Sequence, residues 1–287
     1  MNLSDVEARL GRDRMVLLVL IAVSLLASLC WAGLVLGGLV LSSQPLADAA
    51  APAAAAASVA GTTSAATIAT TANTATTAAA AIAAPSLAYQ AAQLALVFLT
   101  WAGLCTALML PLASRATVLF ARLAGNRAAQ RARLRTALFV LGYLGAWTGF
   151  ALLAAIVQWT LHESGPSGAV RHPTLLGLTM VAAGVYQWTP AKHACLEHCR
   201  APLPGILAGW RDGLAGALGR GAAHARQCLG CCWLLMLLLL AAGPDNPAAI
   251  VVVGLFVLAE IRLVSGHWIA CAGGLALLAL GTRLLFP

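Results

Sequence analysis

Long apolar stretches alternate with short polar or basic segments along almost the whole chain. A helix needs about 20 apolar residues to cross a hydrocarbon core of ~30 Å, and several stretches approach that length. The pattern therefore predicts an all-α fold, a polytopic transmembrane helical bundle of about seven (six to seven) spans. The predicted spans cover residues 15–41, 87–112, 136–161, 173–188, 227–242, 248–263 and 268–285.

The segment between the first two spans has a different composition, because it consists almost entirely of Ala and Thr. Its many threonines and its lack of a large apolar face indicate a low-complexity linker. Three parts are therefore predicted. They are a cytoplasmic N-terminus with the first transmembrane helix (1–41), an extracytoplasmic Ala/Thr-rich linker (42–86) and a transmembrane helical domain (87–287).

Composition excludes a soluble domain and argues against a nucleic-acid partner. Only 9% of the residues are charged and 61% are hydrophobic, whereas soluble domains carry about 25% charged residues. The net charge of +8 comes from arginines in the connections between spans, with no basic patch interleaved with aromatic residues. The predicted partner of this surface is the lipid bilayer, not nucleic acid.

Lys and Arg concentrate in alternate connections, which predicts the orientation of the chain. The basic segments are the N-terminus, 113–135, 189–226 and the region of Arg262. The positive-inside rule then places the N-terminus in the cytoplasm.

Five of the eight cysteines fall in two stretches, 186–200 and 224–232. In the first stretch, Thr189 followed by Pro190 predicts a helix start with a threonine N-cap. Arg200, before two nearby prolines, predicts its end after about eleven residues.

Helical spacing gathers the chemistry of each stretch on one face. At about 100° per residue, an arc of ~120° holds Lys192, Cys195, His198 and Cys199, while His193 and Glu197 point elsewhere. An arc of ~100° in the second stretch holds His224, Cys228, Cys231 and Cys232, provided that the helix continues through Gly230.

Thiols and imidazoles sharing a face suit a borderline or soft metal ion, either Cu(I) or Zn²⁺. The predicted core ligands are Cys195, Cys199, Cys228 and either Cys231 or Cys232, with His198 or His224 as alternates. Lys192, Glu260, Met109 and Met236 are expected around these ligands, the methionines as weak thioether ligands. The competing interpretation is that the cysteines only pack as small apolar side chains.

Other polar and sulfur-containing residues are expected to have structural roles. Packing is the expected role of Cys30, Cys105 and Cys271, and an interfacial polar role that of His162, His172 and His267. Glu260 lies in an apolar span, where a carboxylate requires a partner. It is expected either to pair with Arg262 or a basic residue of 189–226, or to serve the metal site as a carboxylate behind the ligands.

Several motifs resemble a bacterial family of predicted metal-binding integral membrane proteins over residues 90 to 285. The matching elements are Gly142-Tyr143, Trp147-Thr148-Gly149, Tyr186-Gln187, Cys195, His198-Cys199, Pro202, Arg220-Gly221, His224, Cys228-Leu229-Gly230-Cys231-Cys232-Trp233, Met236 and Glu260. The resemblance implies metal binding and a multi-pass location in the bacterial cytoplasmic (inner) membrane. The chain departs from the family's methionine-rich second span, where Leu104, Cys105 and Leu108 stand in place of methionines.

The leading hypothesis is an integral membrane protein that binds copper or zinc for handling or delivery, with a metal donor or acceptor protein as partner. Two alternatives remain open: a membrane thiol–disulfide redox protein, and a structural or assembly subunit of a membrane complex without metal. No Gly-rich phosphate loop, G-x-S-x-G elbow or H-E-x-x-H helix occurs, so no enzymatic activity and no organic cofactor are predicted.

Overall fold

The computed structural model describes residues 13–35, 87–125, 129–164, 173–208 and 210–286. Within these ranges every regular element is an α-helix, which confirms the predicted all-α fold. The helices are α1 Asp13–Val35, α2 Leu87–Leu112, α3 Ser114–Gly125, α4 Ala129–Ser164, α5 Pro173–Tyr186, α6 Pro190–Arg200, α7 Pro202–Ala208, α8 Leu214–Ala242, α9 Pro247–Arg262 and α10 Gly266–Leu285. The predicted linker 42–86, His172 and the side chain of His162 lie outside the described residues.

Five helices, α1, α2, α4, α8 and α10, are long and apolar enough to cross a membrane by length and composition. The other two predicted spans coincide with α5 and α9, which have 14 and 16 residues. Both are shorter than the ~20 residues that a perpendicular crossing requires. Each predicted span therefore corresponds to a helix, and five of these seven helices are long enough to cross a membrane by themselves.

The predicted start of α6 is confirmed in detail. The Thr189 side chain accepts a hydrogen bond from the Lys192 backbone N–H at 3.3 Å, and Pro190 is the first helical residue. The helix ends at Arg200, as the two prolines that follow indicate. Asn246 and Pro247 begin α9 in the same way, with the Asn246 side chain accepting from the Ala249 N–H at 3.2 Å.

Helix α8 begins at Leu214, well before the predicted boundary near Gln227. Its first turns place Ala217, Gly221 and Ala225 in the core, while Arg226 stays exposed. Because the buried residues of this face are small and lie next to basic ones, the segment has a low average hydrophobicity. The connection was therefore predicted to extend to Arg226. As a result, the second cysteine stretch lies near the middle of α8 and not at its end.

Two short helices also occupy connections in which the sequence analysis predicted none. Helix α3 follows the second span and buries Phe120, whose ring stacks on Phe139 of α4 with centroids 4.6 Å apart. On its opposite side, Arg122 Nε donates to Asp13 Oδ2 at 3.0 Å, which joins α3 to the start of α1. Helix α7 directly follows α6 and buries Ile206.

Helix α8 is the central helix of the bundle, since 56% of its most apolar 18-residue stretch is buried, against 11–33% for the same length of the other four long helices. It packs along α4, where two glycines allow close approach. A Cβ on Gly142 would collide with the Leu218 carbonyl, and a Cβ on Gly221 would collide with the Phe139 carbonyl. Of the three glycines in this part of α4, Gly142 makes this contact. Nothing lies within 4 Å of a Cβ built on Gly145 or Gly149.

A second close pairing joins α5 to α10 through glycines spaced seven residues apart in each helix. A Cβ on Gly184 would lie 2.8 Å from the Gly274 carbonyl oxygen, and one on Gly281 would lie 2.8 Å from the Gly177 carbonyl oxygen. The two glycine contacts bring these backbones together along about two turns. This pairing places the end of α5, and therefore the start of α6, next to α10.

We expect Gly221→Ala to lower the free energy of unfolding by about 1–3 kcal/mol, because α4 and α8 must separate to accommodate the methyl group. Gly219→Ala is the matched control on the same helix, since a Cβ at Gly219 meets nothing within 4 Å. Detergent-solubilised variants would be compared by denaturant titration. Equal stability of the two variants would contradict the proposed helix contact.

Candidate metal centre

Contacts near both ends hold helix α6 in place within the bundle. Near its start, Trp188 packs on α10, where a Cβ on Gly274 would lie 2.5 Å from the indole Nε1. At its end, Arg200 donates to the Glu260 carbonyl at 2.9 Å and to the Val264 carbonyl at 3.0 Å. The helix is thereby fixed against α10 near its start and against the α9–α10 turn at its end.

Three buried thiols meet where α6 packs on α8. The Sγ atoms of Cys199, Cys228 and Cys231 all lie within 4.8 Å of one another, and the Cys199–Cys231 distance is 3.9 Å. A metal–thiolate bond of about 2.3 Å places the sulfurs of a three- or four-coordinate site roughly 3.8–4.0 Å apart. The group therefore has nearly the spacing that one metal ion requires.

No disulfide joins the cysteines of the described residues, which include all eight. A disulfide has a sulfur–sulfur distance of about 2.05 Å, so the Cys199–Cys231 separation of 3.9 Å is that of two thiols. The neighbouring thiols of Cys228 and Cys231, together with burial, hold the pKa of Cys199 well above its ordinary value. Metal binding at Cys199 must therefore displace a proton.

The other two cysteines of the stretches lie beside this group and not within it. Cys232 is buried, and its thiol donates to the Cys228 carbonyl at 3.0 Å. Cys195 is half-buried against α8, where a Cβ on Gly230 would lie only 2.7 Å from its sulfur. Burial raises the pKa of Cys195. Helix α8 runs unbroken through Gly230, which was the condition for the predicted face, and Gly230 also provides the space for this sulfur.

Neither histidine predicted as an alternate ligand belongs to the three-thiol group. His198 is exposed, and its Nδ1 lies 2.8 Å from the Ala194 carbonyl of its own helix. His224 is buried, and its ring packs against Tyr143 and Phe139 with centroids 5.8 and 6.2 Å away. The helical faces were predicted from spacing alone, which does not define how deep a neighbouring helix reaches.

Lys192 and Glu260 form a fully buried ion pair next to the thiols, with 2.9 Å between Nζ and Oε2. Lys192 Nζ also donates to the carbonyl of Cys231 at 2.6 Å. Glu260 Oε1 has no hydrogen-bond partner among the described residues. The prediction that Glu260 pairs with a basic residue of 189–226 is confirmed. The alternative partner, Arg262, instead donates to the Pro111 carbonyl and to Ser114 Oγ.

Both methionines expected near the ligands are buried in the same core as the thiols. The Met109 carbonyl lies 3.0 Å from the Tyr143 hydroxyl, which is also 3.3 Å from the sulfur of Cys228. Tyr143 therefore connects α2, α4 and α8 next to the three-thiol group. Met236 is fully buried one turn beyond Cys232.

A second group of side chains that could hold a metal ion was missed by the sequence analysis. His193, His267 and Cys271 each offer a ligand atom, and these atoms lie within 4.8 Å of one another. The four-residue spacing of His267 and Cys271 in α10 was a usable signal. His193, however, comes from α6, and only the fold joins it to them. Burial and the nearby His267 lower the pKa of His193.

The fold and the two residue groups define a helical bundle with spans long enough for a membrane and buried thiols at metal-binding spacing. The comparison with protein families agrees with this class. The chain belongs to the PpoB2 copper chaperone family, whose model matches residues 98–284, more than half of the chain. This membership confirms the predicted resemblance in its broader form, that of a metal-related family. No curated protein and no solved structure matches the chain.

We expect Lys192→Met to lower the free energy of unfolding by about 3–5 kcal/mol, because it leaves the Glu260 carboxylate buried without its partner. Lys192→Met combined with Glu260→Leu should recover most of this loss, since no buried charge then remains. Arg211→Met, at an exposed cation, serves as the control. A double variant no more stable than the single one would contradict this account.

Proposed function

We propose that the protein is a copper chaperone of the bacterial inner membrane that holds one Cu(I) ion between Cys199, Cys228 and Cys231. The observation that carries the proposal is the group of three buried thiols whose sulfurs lie within 4.8 Å of one another. The match to the copper chaperone family supports the choice of metal. Within that family, the motifs in 186–200 and 224–232 favour the narrower resemblance to predicted metal-binding integral membrane proteins.

Three sulfur ligands favour Cu(I) over Zn²⁺ at this group. Thiolates bind both ions, but structural zinc sites are almost always four-coordinate, whereas the soft Cu(I) ion is satisfied by three sulfur ligands. Among the described residues Cys232 is the nearest candidate for a fourth sulfur ligand, but its thiol donates to a backbone carbonyl, and His224 lies outside the three-thiol group. The buried Met109 and Met236 are the thioethers available to support the ion.

The Lys192–Glu260 pair supports this site in two ways. Its ammonium fixes the backbone of α8 at Cys231 through the 2.6 Å hydrogen bond, and thereby orients that thiol. Its carboxylate has one oxygen without a partner. We assign that oxygen as the acceptor for a proton that the thiols release when copper binds.

Delivery requires that copper reach the buried thiols from a donor or leave them for an acceptor protein. Cys195 is suited to be the first contact, because it is half-buried on the same helix as Cys199. The basic connections favour a cytoplasmic N-terminus and a cytoplasmic position for the 189–226 connection that carries α6. The expected partners are therefore the lipid bilayer and a cytoplasmic metal donor or acceptor protein, or a membrane complex.

We expect Cys199→Ser, Cys228→Ser and Cys231→Ser each to weaken Cu(I) binding at this site by at least about 100-fold, because replacing only a hydrogen-bond partner of a metal ligand already costs about 10–100-fold. Cys30→Ser should have no effect, since Cys30 is exposed and belongs to neither residue group. Affinity would be measured by anaerobic competition with bicinchoninate.

Unchanged affinity in all three variants would exclude the three-thiol group of Cys199, Cys228 and Cys231 as the copper site. If, instead, the purified wild-type protein binds no copper and thiol trapping shows reversible Cys199–Cys231 oxidation, the redox interpretation replaces the chaperone. A protein that binds no copper and shows no oxidation would support the structural-subunit interpretation.

Copper affinity should also rise with pH, because the pKa of Cys199 lies well above its ordinary value and its proton must leave. Between about pH 6 and 8 the apparent Kd should fall at least about tenfold per pH unit, which corresponds to one released proton. Competition titrations at several pH values would measure this slope. A Kd independent of pH would contradict ligation by a Cys199 thiol that loses its proton when copper binds.

A further inference from the structure

We propose a second metal site, formed by His193, His267 and Cys271 at the surface of the bundle, that takes Cu(I) independently of the buried thiols. His193 Nδ1 and His267 Nδ1 are 3.1 Å apart, and their ring centroids are separated by 4.2 Å. Cys271 Sγ lies 3.9 Å from His267 Nε2. Two imidazoles and one thiol thus converge from two helices.

The spacing fits one ion. Metal–nitrogen bonds of about 2.0–2.1 Å and metal–sulfur bonds of about 2.3 Å separate ligand atoms by roughly 3.3–4.0 Å. The two observed contacts, 3.1 and 3.9 Å, use opposite edges of the His267 ring. A single ion binds only one nitrogen of the His267 ring, so it uses only one of these two contacts. With one nitrogen taken from His267, the three ligand atoms already lie within 4.8 Å of one another.

The two helices that supply these ligands are held together independently of the three side chains. His267 and Cys271 are four residues apart, so they share one face of α10. The packing of Trp188 on Gly274 fixes the start of α6 against α10. The hydrogen bonds from Arg200 to the carbonyls of Glu260 and Val264 fix its other end. The scaffold therefore positions the ligands before any ion arrives.

Exposure distinguishes this site from the buried thiols. His267 is exposed and His193 and Cys271 are half-buried, whereas Cys199, Cys228 and Cys231 are all buried. His193 and Cys199 are separated by about 9 Å along the axis of α6 and lie on different faces. One short helix therefore carries a ligand of each site, and the outer site exchanges its ion with solvent-borne molecules more readily.

Binding at the outer site does not depend on the buried thiols, whereas its role in copper exchange rests on the proposed chaperone function. Wild-type protein titrated anaerobically with Cu(I) against bicinchoninate should bind two equivalents. His267→Ala and Cys271→Ser should each lose one of them, while Cys30→Ser should lose none. Addition of excess chelator to the loaded wild-type protein should release copper in a fast and a slow phase, and His267→Ala should abolish the fast one.

The two proposals fail in different ways. In a Cys199→Ser/Cys228→Ser/Cys231→Ser background, the outer site should retain one equivalent, which an added His267→Ala removes. Identical copper stoichiometry and release kinetics in wild-type protein, His267→Ala and Cys271→Ser would overturn the outer site and leave the inner one standing. Binding of Zn²⁺ but not Cu(I) to the same three side chains would overturn the assignment of copper.

Discussion

The buried ammonium of Lys192 connects three helices at the centre of the candidate metal centre. It comes from α6, pairs with Glu260 of α9 and donates to the Cys231 carbonyl of α8. A buried charge is costly unless it is paired and hydrogen-bonded, so these helices are constrained to meet at this point. The same contacts set Cys199 of α6 beside the two thiols of α8. The position of the three-thiol group therefore depends on the buried Lys192 ammonium and its two partners more than on any other interaction.

Close helix packing provides the framework around that interaction. Gly142 and Gly221 allow α4 to approach α8, which brings Tyr143 next to Cys228. The glycine pairs of α5 and α10 position the start of α6. In an apolar bundle such small residues bring backbones close enough for van der Waals contact. The proposed copper chemistry therefore uses short helix-to-helix distances that larger side chains would prevent.

Much of this arrangement could be predicted from sequence, because local signals are strong where they occur. Thr189 and Pro190 predicted the start of α6. The energetic cost of a carboxylate in an apolar span indicated that Glu260 has a basic partner. The sequence did not predict how deeply each side chain is buried or which distant helices pack together. His198 shares a helical face with Cys199 yet is exposed, and His193, Cys271 and His267 meet only because α6 packs near α10. Periodicity defines faces, but it does not show which face a distant helix covers.

The most direct test of the central claim is X-ray absorption spectroscopy of copper in the Cys271→Ser variant loaded with one equivalent of Cu(I). This variant removes a ligand of the outer site and leaves the buried thiols intact. The account predicts a first shell of sulfur atoms only, about three per copper, at about 2.3 Å. A first shell dominated by nitrogen or oxygen would contradict the claim that Cys199, Cys228 and Cys231 hold the ion.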